Sequence, residues 1–301
     1  MKSKVFSALC VAGALVATTA TAQETITISG STSVTEVMEV LAETYQNKNS
    51  NTFIEVQGTG SSAGVKAAKN GTSMFGMASR ELKESEKEPS LKETVIARDG
   101  IAVVVNNANT LQDLTVEQIA KIYRGEVSNW SQVGGENKPV VVVTRDTASG
   151  TRGAFEDIMG LKRKVNGKTV SAISQRAQVG NGNGVVKTIV ANNPFAIGYI
   201  SLGSIDESLK ALKVNGVAPT AEAVAAGDYQ VARPFLVMNQ DGKPSAAAND
   251  FLNWVVSAEG QKIVSSQATC QLSNSPCPAH FAGPLLRIFL QSITDAMEHR
   301  L

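Results

Sequence analysis

The sequence predicts an α/β fold in which strands feed directly into helices. Apolar, β-branched runs of strand length recur along the chain. Several are followed at once by a Gly/Ser/Thr turn and then by apolar residues at helical spacing. A hydrophobic content of 43% over 301 residues supplies a sizeable core, for two modest domains or one large one. In such sheets, expected here to be substantially parallel, ligands bind beyond the carboxyl ends of strands, where these polar turns fall.

Residues 1–22 stand apart from the fold. Lys2 and Lys4 form a positive start, Val5 to Val16 an apolar run, and Ala20-Thr21-Ala22 a small-x-small cleavage signal, so the segment reads as a secretory signal peptide. The apolar run is too short for a comfortable membrane span. Cys10 follows Leu9 rather than a small residue and is discarded with the signal. Cleavage removes two lysines and no acids from a chain of formal charge +1, which leaves no basic field for nucleic acid.

Glu24 to Ser29 alternates as a strand, Gly30-Ser31-Thr32-Ser33 is a polar turn, and Val34, Val37, Met38, Leu41 and Tyr45 recur as a helix. Thr52 to Gln57 is a second strand. The turn Gly58-Thr59-Gly60-Ser61-Ser62-Ala63-Gly64 precedes a short helix at Val65 and Ala68. It is no P-loop, because no Gly-Lys-Ser/Thr closes it. Met74 to Arg80 is a short strand, and the charged run Glu81 to Lys92 a solvated helix and loop. Ile101 to Val105 is a buried strand, and Thr115 caps a helix. Gly180 to Gly184 is a flexible turn before Val185, Val186, Ile189 and Val190. Phe195 to Ile200 and Arg233 to Met238 are strands, and Ala246 to Val264 is one helical segment.

The stretch from Val140 to Arg152 carries the most chemistry. Val140 to Val143 is a buried strand, Arg145 a planar fork of donors, and Ser149-Gly150-Thr151 a turn into a helix containing Ala154, Phe155 and Ile158. A helix N-terminus exposes unpaired N–H groups and partial positive charge, so it favours an anion. Ser149 and Thr151 add hydroxyls, and Gly150 admits a close backbone approach. Asp146 is the candidate to hold the Arg145 fork. If the polar turns converge, one small anion takes donors from several of them, at roughly 1.5–3 kcal/mol for each hydrogen bond to a charged group. From Gln23 to Thr269 the chain has neither Cys nor His, which excludes a Ser-His-Asp triad, a Cys-His dyad and a His-based metal site there.

Together these pieces resemble the periplasmic phosphate-binding proteins of ABC importers, the PstS family. They are Gly30-Ser31-Thr32-Ser33, Gly58 to Gly64, Gly76 to Leu82, Ile122-Tyr123-Arg124-Gly125 with Asn129-Trp130, Arg145 with Ser149 to Arg152, and Ala196-Ile197-Gly198-Tyr199. The resemblance runs from Ile26 to about Val264. It implies a two-lobed type II periplasmic binding protein fold with the ligand cleft between the lobes. Residues 23–103 and 233–264 would form a discontinuous first lobe and 104–232 the second. It implies a non-enzymatic monomer that needs no cofactor or metal, closes reversibly on inorganic phosphate and delivers it to an inner-membrane ABC permease. Carried over by position, phosphate would meet Thr32, Ser33, Ser61, Arg80, Arg145, Ser149, Gly150 and Thr151.

Two departures stand out. Some family members place an Asp where Ser79-Arg80 stands here. That Asp accepts the proton of hydrogen phosphate, so another oxyanion (sulfate, arsenate or a phosphonate) is the alternative ligand. The tail, 265–301, replaces the family's usual ending. Leu285, Leu286, Ile288, Phe289, Ile293 and Met297 suggest an amphipathic helix, and Cys270 and Cys277 can pair in an oxidising compartment. An extension without ordered structure or an altered reading frame stands ahead of a specialised, adhesive role. A secreted phosphatase is the remaining alternative, disfavoured by the His-free, Cys-free span.

Overall fold

A computed structural model describes residues 23–269. The signal segment, the pairing of Cys270 with Cys277 and the amphipathic helix at Leu285–Met297 lie outside the described residues. In order the elements are β1 (Glu24–Gly30), α1 (Thr32–Lys48), β2 (Thr52–Gly58), α2 (Ser61–Asn70), β3 (Phe75–Ala78), β4 (Leu91–Asn106), β5 (Asp113–Leu114), α3 (Val116–Arg124), β6 (Val141–Arg145) and α4 (Gly150–Ile158). There follow β7 (Lys162–Val165), β8 (Lys168–Ser171), β9 (Gln178–Gly180), α5 (Asn183–Ala191), β10 (Ala196–Ser201), β11 (Leu209–Ala211), β12 (Lys213–Val214), α6 (Ala221–Ala226), β13 (Ala232–Gln240), α7 (Ala246–Val256) and α8 (Ala258–Thr269).

The main sheet runs β2-β1-β3-β13-β4-β10-β6-β9, with β11 also on β4. Its outer ladders are parallel, as expected: β1 with β2 and β3, and β6 with β10 and β9. Its centre is antiparallel, which the expectation of a substantially parallel sheet missed. β4 carries the chain across the molecule and β13 brings it back, so they run in opposite directions. Residues Leu91 to Gly100 of β4 pair with β13, and Ile101 to Val105 pair with β10.

Two apolar cores follow from this change of partner. Ile26, Ile28, Val34, Leu41, Phe75, Met77, Phe235 and Phe251 pack in one. Ile101 to Val105, Ile119, Tyr123, Phe155, Val186 and Tyr199 pack in the other. A third, smaller cluster joins Val65 and Ala68 of α2 to Ala78, Leu236 and Met238, and there α2 lies almost on the strands. A Cβ on Gly64 would meet the Met77 carbonyl oxygen at 2.6 Å.

Three local outcomes differ from expectation. The charged run forms only a 3-10 turn at Glu84–Glu86 before β4 begins at Leu91. The helical segment after Ala246 breaks at Ser257, whose N–H and hydroxyl both donate to the Trp254 carbonyl while its backbone is extended. An unanticipated hairpin, β7–β8, turns on Asn166 (φ 50°) and Gly167 (φ 76°), the pair that a two-residue turn with positive φ at both positions favours. Thr115 caps α3 in the expected way, reciprocated by Gln118.

Candidate functional site

The polar turns meet where the two cores face each other. Ser31 caps α1, its hydroxyl accepting from the N–H groups of Ser33 and Val34 and donating to the Ser79 hydroxyl at 2.8 Å. Ser79 also lies 3.4 Å from the Ser61 hydroxyl at the start of α2. Ser79 is thus a fully buried serine in a chain of hydroxyls. Across the cleft, Ser149 caps α4 by accepting from the Arg152 N–H. The two sides touch: a Cβ on Gly150 would stand 2.1 Å from Ser61 Oγ and 2.7 Å from Ser79 Oγ. The N–H of Ser62 donates to the Ala148 carbonyl at 3.1 Å.

Arg145 ends β6 and is 2% exposed. Its Nη1 donates to Asn183 Oδ1 at 2.8 Å, and its Nη2 to Thr32 Oγ1 at 3.0 Å. Asp146 does not hold this fork. Its carboxylate accepts from the Ala148 N–H and shapes the turn, because two residues on is where an Asx side chain reaches backbone most easily. Behind the arginine, the Tyr199 hydroxyl accepts from the Arg145 N–H at 3.2 Å and shares a hydrogen bond with Thr144. Burial pushes the Tyr199 phenol up to about 12, so it remains neutral. Its ring stacks on Phe155 of α4, 4.0 Å between centroids, which ties the helix to the strand.

Ser33 and Thr151, from opposite sides, have hydroxyls 3.0 Å apart. Two residues that the motifs did not single out complete this contact. Asn183, first in α5, donates from Nδ2 to Ser33 Oγ at 3.1 Å and to Ser204 Oγ at 2.9 Å. Arg233 of β13 donates from Nη2 to Ser33 Oγ at 3.3 Å and Thr151 Oγ1 at 3.2 Å, and faces Asp99 Oδ2 at 3.0 Å. Ser204 in turn donates to the Glu36 carboxylate.

Of the residues expected at the site, Thr32, Ser33, Ser61, Arg145, Ser149, Gly150 and Thr151 come together. Arg80 sits at their margin. Its guanidinium holds Glu86 in a two-pronged pair at 2.7 and 2.8 Å and reaches Ser62, away from Ser33 and Thr151. Burial alone would raise the Glu86 carboxyl, but the hydrogen bonds from Arg80 and from the Lys83 N–H outweigh it and leave the group below its usual value. Arg80, Ser149 and Arg152 line a cavity of about 480 Å³ beside the hydroxyl cluster.

Electrostatically the cluster sets two buried arginines against the carboxylates of Asp99 and, through Ser204, Glu36. Burial pushes the guanidinium of Arg145 down and that of Arg233 down to about 10, which leaves Arg233 protonated at neutral pH. Among the described residues, Asp99 is the one carboxylate in an ion pair with either arginine. Among the described residues, the buried Nε of each arginine has no hydrogen-bond partner. Buried charges and donors of this kind are stable only when paired. The helix N-termini of α1, α2, α4 and α5 surround them, so the arrangement suits an anion rich in acceptor oxygens.

Residues 15–259 match the model of a PBP superfamily domain. The phosphate-binding protein PstS of Borreliella burgdorferi is 30% identical over 249 residues, 81% of this chain and 89% of that protein. PstS of Bacillus subtilis is 30% identical over 81% of this chain and 79% of its own. A crystal structure from Clostridium perfringens, described as a phosphate ABC transporter substrate-binding protein with bound phosphate, is 42% identical. It has a TM-score of 0.77 and covers 83% of this chain and 100% of its own. An ABC-type phosphate transport receptor from Vibrio cholerae is 41% identical with a TM-score of 0.69, over 80% of this chain and 98% of that one.

Proposed function

The chain belongs to the PBP superfamily and, within it, to the PstS phosphate-binding proteins, and from that premise we propose that it captures inorganic phosphate between its lobes and hands it to an inner-membrane ABC permease. The observation that carries this is the convergence of two buried, incompletely paired arginines on hydroxyls and helix N-termini from both sides of the cleft. Phosphate is taken by Thr32, Ser33, Ser61, Arg145, Ser149, Gly150 and Thr151, with Arg80 at the rim of the cleft. No bond is made or broken. An oxyanion with contacts in both lobes favours the closed state over the open one, which is what ligand-driven closure requires.

The first lobe comprises 23–103 and 233–264 and the second 104–232. The separation of the two cores near Gly100 and Ala232 supports that division. Export by the N-terminal signal to the periplasm and action as a monomer complete the proposal. Among the described residues no helix is long and apolar enough to cross a membrane. Ser79-Arg80, standing where the resemblance leads one to expect an acceptor Asp, favours a second reading, a receptor that takes sulfate as well as phosphate.

Calorimetric titration of the ligand-stripped protein tests both readings. Tight one-to-one phosphate binding with silent sulfate supports the first, and equal binding supports the second. Arg145→Ala is expected to weaken binding about 100-fold or more by deleting charge-assisted donors. Near-native affinity in that variant would remove Arg145 from the site.

A further inference from the structure

We propose that Arg233, clamped by Asp99 where the chain passes between the lobes, fixes the Ser33 hydroxyl as donor to Thr151 and so turns the Thr151 hydroxyl into a donor to the bound anion. This deepens the phosphate-receptor reading and rests on it.

Arg233 and Asp99 are direct partners in the β13–β4 ladder. On β4, Gly100 is the last residue paired with β13 before Ile101 begins the pairing with β10. Arg233 therefore sits at the crossing, not in either polar turn. Its position is held on several sides. Asp99 Oδ2 faces Nη2 at 3.0 Å, Ser201 donates to the same carboxylate oxygen at 2.8 Å, and the Phe235 ring lies 5.5 Å from the guanidinium carbon. The side chain is 2% exposed.

The consequence follows from counting hydrogens and lone pairs. A guanidinium only donates, and a hydroxyl has one hydrogen and two lone pairs. Ser33 Oγ accepts from Arg233 and from Asn183 Nδ2, which fills both lone pairs. In its contact with Thr151 it must then be the donor. Thr151 Oγ1 accepts from Arg233 and from Ser33, so its own hydrogen is left for another acceptor. An oxyanion at the start of α4 supplies that acceptor. Ser33 and Thr151 approach from opposite lobes, so Arg233 completes this arrangement only when the cleft is shut. It is a positioning residue that couples ligand to closure.

The test is calorimetric titration with inorganic phosphate of Arg233→Met and Arg233→Lys, each alone and combined with Thr151→Val. Thermal melting of each ligand-free variant checks that it folds. Arg233→Met is expected to weaken binding about 100-fold, and Arg233→Lys, which keeps charge but cannot bridge both hydroxyls and Asp99, about 10-fold. With Thr151→Val already present, the further loss from either change should shrink severalfold, because one of the hydroxyls that Arg233 orients is gone. Wild-type affinity in a folded Arg233→Met protein overturns the inference. So does an equal loss in both backgrounds, which a merely structural role would give. If the Met variant does not fold, the Lys variant carries the same comparison. Failure of the wild type to bind phosphate overturns the receptor reading itself, and with it this one.

Discussion

Asp99 is buried with a guanidinium and a hydroxyl on it, and burial pushes its carboxyl up to about 6, against the pull of Arg233 and Ser201 and with a small push from Glu36. The sign of the resulting pH dependence is fixed by proton count. Between roughly pH 4 and 6 the folded protein holds the Asp99 proton and the unfolded chain does not, so stability falls as pH rises through that window. Above it the cost is constant, on the order of 3 kcal/mol for a shift of about two units. Asp99→Asn removes this contribution. The gap in unfolding free energy between variant and wild type, from denaturant melts of ligand-free protein, should move in the Asn variant's favour from about pH 4 to 6 and level off by pH 7. A gap independent of pH would mean that Asp99 titrates like a solvated carboxylate.

At the scale of elements, the site depends on α4 and α2 meeting head on. Gly150 opens α4 against Ser61 and Ser79, and a methyl group there would stand 2.8 Å from Ser61 Cβ, which cannot rotate away. Gly150→Ala should therefore prop the cleft and weaken phosphate binding about 10- to 100-fold, the usual cost of overpacking. The ligand-free melting point should stay near wild type, since each lobe folds without that contact. A loss of melting temperature with unchanged affinity would place the strain inside one lobe instead.

The strand–turn–helix units at Thr32, Ser61 and Thr151 were legible in the sequence because each turn carries more hydroxyls than one helix cap uses, directly after an apolar run. Arg233 and Asn183 were not singled out. Each stands in a segment whose neighbours decide its reading, an apolar strand for Arg233 and a glycine turn for Asn183. The informative signal was a charge inside the strand Arg233 to Met238, which a buried strand tolerates only when the charge has partners. The β7–β8 hairpin was missed for the converse reason. Its residues are exposed almost throughout, so no alternation of apolar positions marks it, and only Asn166-Gly167 announced the turn. The antiparallel centre of the sheet depends on pairings between β4 and β13, more than a hundred residues apart, for which no local pattern exists.

For the molecule as a whole, two cores joined by β4 and β13 make stability and ligand capture one problem. The contacts that shut the cleft are polar: Arg145 on Thr32, Ser33 with Thr151, Asn183 on Ser33, Ser204 on Glu36. Contacts of this kind exchange for water on opening, so an anion that bridges the two sides weighs on the balance between open and closed states. A ligand that binds only the folded, closed state adds about 4 kcal/mol at a thousand times its dissociation constant. For a chain of this size each kcal/mol is worth roughly 2–4 °C of melting temperature. Saturating phosphate should thus raise the midpoint by about 8–16 °C in a calorimetric scan and draw both lobes into one transition, since in the proposed site Thr32 and Ser61 on one side and Arg145 and Thr151 on the other would share the same ion. If phosphate instead shifts one transition and leaves a second where it was, the anion is held by a single lobe, and closure is not what binding stabilises.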